Sequence, residues 1–385
     1  MEKEAAMNQK KNLGVYIHIP FCLRKCKYCD FLSFVSDKET MQKYVESLCE
    51  EIRGFFQREK EYQVTTVYFG GGTPTILEPE WTERIINTLK NEAVFHPEAE
   101  ISTEANPGTL TWDKLLTYKK CGINRLSIGL QSTQEKELSY LGRIHSYEQF
   151  LEGYDLARKT GFTNINIDLM SAVPYQTLDT WKETLDRILS LKPEHISAYS
   201  LIVEEGTPFY DDDKLESLIP DEDTERKMYE ITEEKLLEYG YHRYEVSNYA
   251  LYGKECAHNI LYWQRGDYIG FGLGASSCIR ETRFKNTDQM KEYLGHPWRE
   301  LADREEVESL SIEEQMAEEM ILGLRMIEGV SKEAFYCRYG LTLESIYGEI
   351  IEKYKKSKLL TEENGYIKFT KKGLDLSNIV LREFV

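Results

Sequence analysis

Three cysteines near the start of the chain have a spacing that favours metal chemistry. Cys22, Cys26 and Cys29 follow the pattern C-x3-C-x2-C on a loop that leaves a strand-like run, GVYIHI. Thiolates are the usual ligands of iron–sulfur clusters, and four of them normally close a [4Fe–4S] cube. Three local thiolates leave one iron open to a small chelator. S-adenosylmethionine offers a suitable amine and carboxylate, and reductive cleavage of its sulfonium gives a radical.

Structural zinc is the alternative for these thiols, with His18 or a distant cysteine as the fourth ligand. Zinc sites usually close all four positions and often show paired C-x2-C knuckles. This loop contains a single C-x2-C. The spacing therefore favours an open iron–sulfur cluster.

Further polar or small residues follow other strand-like runs. Gly71, Gly72 and Thr73 let the backbone approach a ligand closely, although alone they are typical of a tight strand-to-helix turn. Glu104 ends a third run and could accept from an ammonium or a ribose hydroxyl; alone it would be a solvated carboxylate. Asp168, within an apolar run, would be costly to bury without a donor, and a ribose diol supplies two.

Six strand-like runs alternate with helical patterns and must position these residues. The runs are GVYIHI, VTTVYFGG, EISTEAN, NRLSIGLQS, TNINIDLMSAV and EHISAYSLI. This alternation predicts a parallel α/β sheet or open barrel, in which chemistry collects at the carboxyl ends of the strands. The acidic stretch 211–225 is expected to be a solvated connection.

The last part of the chain has a different character. The stretch 311–330 has helical periodicity with Met316, Met320 and Leu324 on one stripe. Two more helical patterns and a short strand-like run, GYIKFT, follow. This arrangement is similar to a winged-helix-like module. Because it is more acidic than basic, we expect it to pack on the barrel or hold a partner, not DNA.

Composition narrows the class of function. The chain has 385 residues, 41% hydrophobic and 30% charged, and a net charge of −18. That charge disfavours nucleic-acid binding. No run is long and apolar enough for a membrane helix, and MEKEAAMNQKKN does not resemble a signal peptide. We therefore expect a cytoplasmic protein whose eight cysteines are metal ligands or buried thiols.

Five motifs, in order, resemble one protein family. YIHIPFC, FGGGTPT, STEANPG, NRLSIGLQS and INIDLM are similar to the radical S-adenosylmethionine branch that holds oxygen-independent coproporphyrinogen III oxidases and haem chaperones of the HemW type. The resemblance implies a partial (β/α)6 barrel with a small α+β winged-helix-like C-terminal domain. It divides the chain into an extension (1–13), a core (14–245), a connecting segment (246–299) and the C-terminal domain (300–385).

The resemblance also implies the site residues. The three cysteines would hold a [4Fe–4S] cluster, Arg143 would bind the carboxylate of S-adenosylmethionine, and Tyr28 would lie beside its adenine. The residues implied for S-adenosylmethionine are Tyr16, Tyr28, Gly71, Gly72, Thr73, Glu104, Gln131, Arg143, Asp168 and Ile202.

Two departures favour the haem chaperones within this branch. The oxidases have a fourth cysteine where this chain has Phe31, and a longer segment before the first strand. The stretch CAHNILYW resembles the chaperone signature H-N-x-x-Y-W. It implies that His258 ligates haem, with Cys256 as a second candidate, while Tyr262 and Trp263 cover the macrocycle. The alternative is that His258 is a hydrogen-bonded core histidine.

The sequence thus predicts a haem chaperone that delivers haem to acceptor haem proteins, among them respiratory ones by resemblance. This reading assigns no catalytic residue and leaves peripheral contact with a membrane open. The alternative is an enzyme, a radical oxidoreductase that decarboxylates coproporphyrinogen III. Radical modification of tRNA is a third class, which the net charge of −18 disfavours.

One loop departs from the resemblance in both readings. After the fifth strand the family usually has glycines, as in I-Y-G-L-P-G-Q-T, where this chain reads MSAVPYQT. Ala172 and Tyr175 therefore add bulk at a barrel mouth. We expect this change to affect how a substrate lies and to leave the cofactor site intact.

Overall fold

The structure, a computed structural model, describes residues 10–295 and 305–385. The first nine residues of the predicted N-terminal extension lie outside these ranges, as does the predicted boundary between 299 and 300. The domain boundaries therefore remain predictions.

Six parallel strands, neighbours in chain order, form the centre of the main sheet. They are β1 (Lys11–Ile19), β2 (Tyr62–Gly71), β3 (Val94–Ala105), β4 (Arg125–Gln131), β5 (Ile165–Ser171) and β6 (His195–Ser200). The helices between them are Lys38–Arg58, Pro79–Glu92, Trp112–Cys121, Glu135–Leu141, Tyr147–Lys159 and Leu178–Leu191. This arrangement confirms the predicted α/β fold.

Alternation of side chains along β4 shows how the strands separate core from cavity. Leu126, Ile128 and Leu130 are fully buried in the main hydrophobic core. Successive side chains of a strand point to opposite faces, so the remaining residues of β4 face inward. These inward residues, which line the central cavity, are Arg125, Ser127, Gly129 and Gln131.

Shorter strands extend this sheet at both edges. On one side, β8 (Asn248–Ala250) is antiparallel to β6 and pairs with β7 (His242–Arg243). On the other, β9 (Tyr268–Phe271) is parallel to β1, followed by β10 (Ser276–Ile279), β11 (Thr282–Lys285) and β12 (Glu305–Ser309). Between β8 and β9 the chain forms the helix Ala257–Trp263, and the helix Met290–Gly295 follows β11.

The acidic stretch 211–225 is more ordered than expected. Leu215 is 5% exposed and packs in a small apolar cluster. Asp221 accepts a hydrogen bond from the Thr224 backbone at 2.8 Å and caps the helix Glu222–Glu238. The expectation of a solvated connection was therefore wrong at these positions, because an apolar contact and a helix cap fix the backbone there.

The C-terminal part has its own core and a three-stranded antiparallel sheet. Met316, Met320 and Leu324 lie in this core, as the helical stripe predicted. The first helix ends at Gly323, earlier than the periodicity suggested, because Val330 already pairs in a strand. The helices are Ile312–Gly323, Lys332–Tyr339, Leu343–Lys356, Lys371–Asp375 and Ser377–Leu381, and the strands are β13 (Val330–Ser331), β14 (Leu360–Glu363) and β15 (Tyr366–Phe369).

Arg265 joins this C-terminal part to the main sheet. Its side chain is 3% exposed and forms ion pairs with Glu281, beside β11, and with Glu318 of the first C-terminal helix. It also donates to the Tyr339 hydroxyl at 2.8 Å. The two parts therefore meet through a buried, paired guanidinium. In the described ranges, no helix combines the length and the apolar character that crossing a bilayer requires.

Candidate functional site

The carboxyl ends of the central strands surround a cavity of about 350 Å³. Eleven of the residues predicted for the cluster and S-adenosylmethionine line it together. They are Cys22, Cys26, Tyr28, Cys29, Gly71, Gly72, Thr73, Glu104, Gln131, Arg143 and Asp168.

Backbone hydrogen bonds hold the cysteine loop at the mouth of this cavity. The Cys22 amide donates to the Phe34 carbonyl at 3.0 Å, and the Lys27 amide donates to the Leu141 carbonyl at 3.0 Å. All three thiols are free, Cys22 buried and the other two half-buried. No three His, Cys, Asp or Glu side chains in the described ranges form a site for a single metal ion. In an iron–sulfur cluster each thiolate binds a different iron, so this finding concerns single metal ions and not clusters.

Gly72 lets the loop after β2 lie directly against the cysteine loop. A Cβ at this position would lie 2.6 Å from the Phe21 carbonyl oxygen and 3.0 Å from Cys22 Sγ. The Thr73 amide donates to the Phe21 carbonyl at 2.8 Å, and Thr73 Oγ1 lies 3.6 Å from Cys22 Sγ. Thiol and hydroxyl groups therefore converge where glycine alone fits, which suits a site built around a ligand.

Arg143 connects the cysteine loop to the end of β4. It donates from Nη1 to Cys26 Sγ at 3.6 Å and from Nη2 to the Gly129 carbonyl at 2.6 Å. Its Nε is buried without a hydrogen-bond partner among the described residues. A guanidinium held in this way beside the cysteines is placed to bind a carboxylate through its planar fork.

Two carboxyl groups, Glu104 and Asp168, line the wall of the cavity. Burial, and then the charge of Asp168, raises the pKa of Glu104 to about 8. Burial also raises the pKa of Asp168, although Asn166 Nδ2 donates to it at 2.7 Å and Ser127 Oγ at 3.3 Å. Each carboxyl would bind a cationic or hydroxyl-bearing ligand as an acceptor, and a bound cation would favour ionisation of Glu104.

Gln131 ends β4 with an unusual backbone. Its φ is +74°, and its side-chain oxygen accepts a hydrogen bond from the Tyr199 hydroxyl at 2.9 Å. The left-handed conformation costs a non-glycine residue energy and is therefore found mainly where function or packing requires it. Here it coincides with a break in the β4–β5 register, between Gly129 and Gln131.

Three predicted residues lie elsewhere. Ile202 is 69% exposed and does not line the cavity. Tyr16 lines a second cavity, and its hydroxyl lies 3.0 Å from His18 Nδ1. His258 is 1% exposed and lines neither cavity. The roles of these three residues remain predictions that the geometry of the main cavity does not support.

His258 uses both of its ring nitrogens. Nδ1 lies 2.8 Å from Thr66 Oγ1, and Nε2 lies 2.8 Å from the Tyr262 hydroxyl. Burial, and then the charge of Arg125, lowers the pKa of His258 to about 3. The imidazole is therefore neutral, which is the form that binds metals. In this conformation, however, neither nitrogen is available to iron.

The second cavity, of about 560 Å³, lies between the main sheet and the C-terminal part. Tyr262 and Tyr268 line it beside the half-buried thiol of Cys278. Ligand cavities commonly enclose about 300–1,000 Å³. It shares Phe31, Gly71 and Glu104 with the main cavity, so the two are neighbours.

Sequence reasoning missed the polar residues deeper in the main cavity. They include Arg125, Ser127, Asn166, Ser197 and Asn259. The period-two alternation of the strands could have identified those on β4 and β5, since Ser127 and Asn166 each stand two positions before an inward-facing residue. Asn259 could not be placed in this way, because it reaches the cavity from the helix Ala257–Trp263.

The loop after β5 carries two residues in left-handed conformations. Ala172 has φ +57° and Tyr175 has φ +68°. These are the two positions at which the family resemblance predicts glycine. Tyr175 packs edge-on against Tyr140 with ring centroids 5.3 Å apart, and the Lys136 ammonium lies 3.6 Å from its ring centre. Packing therefore stabilises at least the Tyr175 conformation.

Comparison with known proteins matches two families along the chain. Residues 16–188 match the Radical SAM superfamily, and residues 310–376 match the HemN C-terminal domain. The chain is 38% identical to "Heme chaperone HemW" of Lactococcus lactis subsp. lactis (strain IL1403), covering 98% of each chain. It is 36% identical to the protein of that name from Bacillus subtilis (strain 168), covering 97% of this chain and 99% of the relative.

A solved structure shares the fold. Coproporphyrinogen III oxidase (HemN) from Escherichia coli, described as a radical SAM enzyme, superposes with a TM-score of 0.85. The match covers 99% of this chain and 92% of the oxidase, at 23% identity. At that identity the likeness establishes the architecture of the barrel and C-terminal part only.

Proposed function

Because the chain belongs to the HemW family of haem chaperones within the radical SAM superfamily, we propose that it binds and delivers haem. The proposal includes one [4Fe–4S] cluster and S-adenosylmethionine, and its acceptors are haem proteins. The cytoplasmic location expected from the sequence forms part of the same proposal.

The observation that supports the cofactors is the convergence of cysteines, carboxyls and Arg143 on one cavity. Cys22, Cys26 and Cys29 would hold the cluster, and Arg143, fixed at 3.6 Å from Cys26 Sγ, would bind the methionyl carboxylate. Asp168 would accept from the ribose hydroxyls. Cluster and S-adenosylmethionine together supply one-electron chemistry at a sulfonium.

Two more residues of this cavity would complete the S-adenosylmethionine site. Tyr28, on the cysteine loop, would lie against the adenine. Glu104 would accept from the methionyl ammonium or a ribose hydroxyl, and the cation would offset the burial that raises its pKa to about 8. The residues present thus offer a partner for each polar part of the ligand.

For haem, we propose the second cavity as the binding site. Tyr262, from the motif CAHNILYW, forms part of its wall, and the Tyr262 hydroxyl caps His258 Nε2 at 2.8 Å. His258 would therefore reach haem iron only after this hydroxyl is displaced. Its neutral imidazole suits such ligation. Cys256 is 1% exposed and lines the main cavity instead of the second cavity, so it is a poorer candidate for the haem ligand than the sequence suggested.

Oxidation of coproporphyrinogen III is the second candidate, and one observation favours it. The two cavities share Phe31, Gly71 and Glu104. A porphyrinogen in the second cavity would therefore lie beside the main cavity, and radical chemistry requires the substrate to lie close to S-adenosylmethionine. Phe31, which is 59% exposed, stands where the oxidases carry a fourth cysteine, and this departure favours the chaperone.

Anaerobic reconstitution followed by two assays separates the candidates. Cluster-loaded protein should bind haem, seen by absorbance, and transfer it to a haem-free acceptor protein. Reduced protein with S-adenosylmethionine and coproporphyrinogen III should yield no protoporphyrinogen. Stoichiometric decarboxylation without haem transfer would replace the chaperone by the oxidase.

Serine variants of the cysteines provide the cofactor control. Cys22→Ser, Cys26→Ser and Cys29→Ser should each abolish the iron–sulfur absorption. Cys49→Ser and Cys121→Ser should not, because both thiols are buried in the hydrophobic core. A requirement for either core cysteine would contradict the open-iron assignment.

A further inference from the structure

Arg125, the first residue of β4, is a buried cation at the closed end of the main cavity. Its side chain is 2% exposed and lines the cavity that also holds the cysteines. Among the described residues, its Nε has no hydrogen-bond partner, and none forms a side-chain hydrogen bond or ion pair with its guanidinium. Burying a charge is costly unless an opposite charge or a hydrogen-bond partner offsets the lost hydration. This residue therefore needs a counter-charge.

Glu100 is the carboxylate with the strongest electrostatic effect on Arg125. Its hydrogen bonds, however, are made to a different element. Its carboxylate accepts from the Ala257 amide at 3.2 Å and the His258 amide at 3.4 Å, at the start of the helix Ala257–Trp263. The Cys256 thiol also lies 3.6 Å from it. Glu100 thus reaches Arg125 only through space.

Of the other titratable groups around Arg125, the Asp168 carboxyl acts on it only through space, since its oxygens accept from Asn166 and Ser127, and the remaining three are neutral. Burial raises the pKa of the Cys256 thiol to about 12 and holds the pKa of His195 well below its ordinary value. Burial likewise lowers the pKa of His258 to about 3. Glu100 and Asp168 thus act on Arg125 only through space, and no anionic group of the described residues forms a hydrogen bond or ion pair with it.

The closed end is separate from the position argued for the methionyl carboxylate. Arg143 is fixed at the Gly129 carbonyl, four residues further along β4. At about 3.3 Å per residue the backbone positions of Arg125 and Gly129 lie roughly 13 Å apart. One carboxylate near Cys26 and Gly129 would therefore leave Arg125 without its own anion.

We propose that the closed end of this cavity binds the carboxylate of a second ligand, with Arg125 as its counter-charge. Asn259, on the short helix that borders this end, adds an amide to the same wall. The ligand is a small carboxylic acid or the propionate arm of a tetrapyrrole, which share this chemistry. The inference rests on the proposed function only in assigning the S-adenosylmethionine carboxylate to Arg143.

Propionate is the probe that tests the site in the full, cluster-loaded chain. Thermal stability is measured with propionate against chloride at equal ionic strength, with and without saturating S-adenosylmethionine. Propionate should stabilise the wild type in both cases. Arg125→Gln should weaken propionate binding at least tenfold, Arg125→Lys should retain part of it, and Arg84→Gln, on an exposed helical face, should leave it unchanged.

The proposal would be overturned if the wild type did not bind propionate, or if S-adenosylmethionine displaced it. Both outcomes are measured on the wild-type protein, so neither depends on the folding of a variant. Equal propionate binding in wild type and Arg125→Gln would overturn it as well. Haem and haem dimethyl ester distinguish the two sources of the carboxylate. If the wild type binds the ester more weakly than haem and Arg125→Gln binds the two equally, the carboxylate belongs to a tetrapyrrole arm. If the wild type binds haem and the ester equally, the ligand is a small acid. A chain that binds propionate but no haem would refute the proposed function alone.

Discussion

Arg143 donates from Nη1 to Cys26 Sγ over 3.6 Å, although 117 residues separate the two in the chain. The contact places a fixed guanidinium beside the thiols that the sequence assigns to a cluster. It would also give the predicted carboxylate of S-adenosylmethionine a charged partner next to the predicted cluster. The first prediction follows from this pair.

Arg143→Gln should weaken S-adenosylmethionine binding by about 2–3 kcal/mol, since a desolvated, charge-assisted hydrogen bond is lost. Equilibrium dialysis with cluster-loaded protein measures this loss, and the cluster absorbance shows whether Cys26 is disturbed. Arg84→Gln, on an exposed helical face, is the matched control. Asp168→Asn should also weaken binding. Unchanged affinity in both cavity variants would mean that the ligand lies elsewhere.

Gly72→Ala should impair reconstitution of the cluster. The new Cβ would meet the Phe21 carbonyl at 2.6 Å and Cys22 Sγ at 3.0 Å, so the cysteine loop must shift. Gly108→Ala is the control, because a Cβ there meets no atom of the described residues within 4 Å. Iron content and absorbance after reconstitution measure both variants. A Gly72→Ala protein with full cluster content would contradict the close approach of the two loops.

Glu104 should make the ligand-free chain less stable as pH rises. Its folded pKa, about 8, lies above the ordinary value of 4.5, so the folded state holds a proton that the unfolded state releases. Stability from this group is complete below about pH 4.5 and falls by up to about 1.4 kcal/mol per pH unit until about pH 8. Between pH 5 and 9, the unfolding midpoint of Glu104→Gln should fall less steeply with rising pH than that of the wild type. Parallel profiles for wild type and variant would show that the carboxyl titrates normally.

Ala172→Gly should be better tolerated than the same change in a helix. Ala172 has φ +57°, a region that costs an L-residue about 1–2 kcal/mol and glycine almost nothing. Ala157, fully buried in the helix Tyr147–Lys159, is the control. The two variants should differ by about 1–2 kcal/mol in unfolding free energy, in favour of Ala172→Gly. Equal losses would show that the left-handed backbone carries no strain.

Tyr262→Phe should strengthen haem binding if His258 is the iron ligand. The change removes the hydroxyl that occupies His258 Nε2 and leaves the ring in the cavity wall. His258→Ala should alter the Soret band and lower affinity. Thr66→Val removes only the partner of Nδ1 and serves as the matched control. If His258→Ala and Tyr262→Phe lose stability but leave the haem spectrum unchanged, His258 has a packing role.

The sequence by itself determined the strands, their order and the cysteine loop. Strand periodicity is local, so runs such as GVYIHI and NRLSIGLQS predict β1 and β4 within a few residues. The spacing of Cys22, Cys26 and Cys29 is local as well. Because strands in a parallel sheet end on one side, residues following different strands, such as Thr73 and Glu104, could be expected to meet there.

Only the tertiary structure decided which distant side chains touch. Ile202 follows β6 yet is exposed to solvent, and His258 is buried with Thr66 Oγ1 and the Tyr262 hydroxyl at its two nitrogens. Such contacts depend on strand register and on the angle at which a helix crosses the sheet, which a one-dimensional pattern does not contain. Arg125 shows the same limit: its charge is visible in the sequence, but only the packing of β4 shows that its Nε has no hydrogen-bond partner among the described residues.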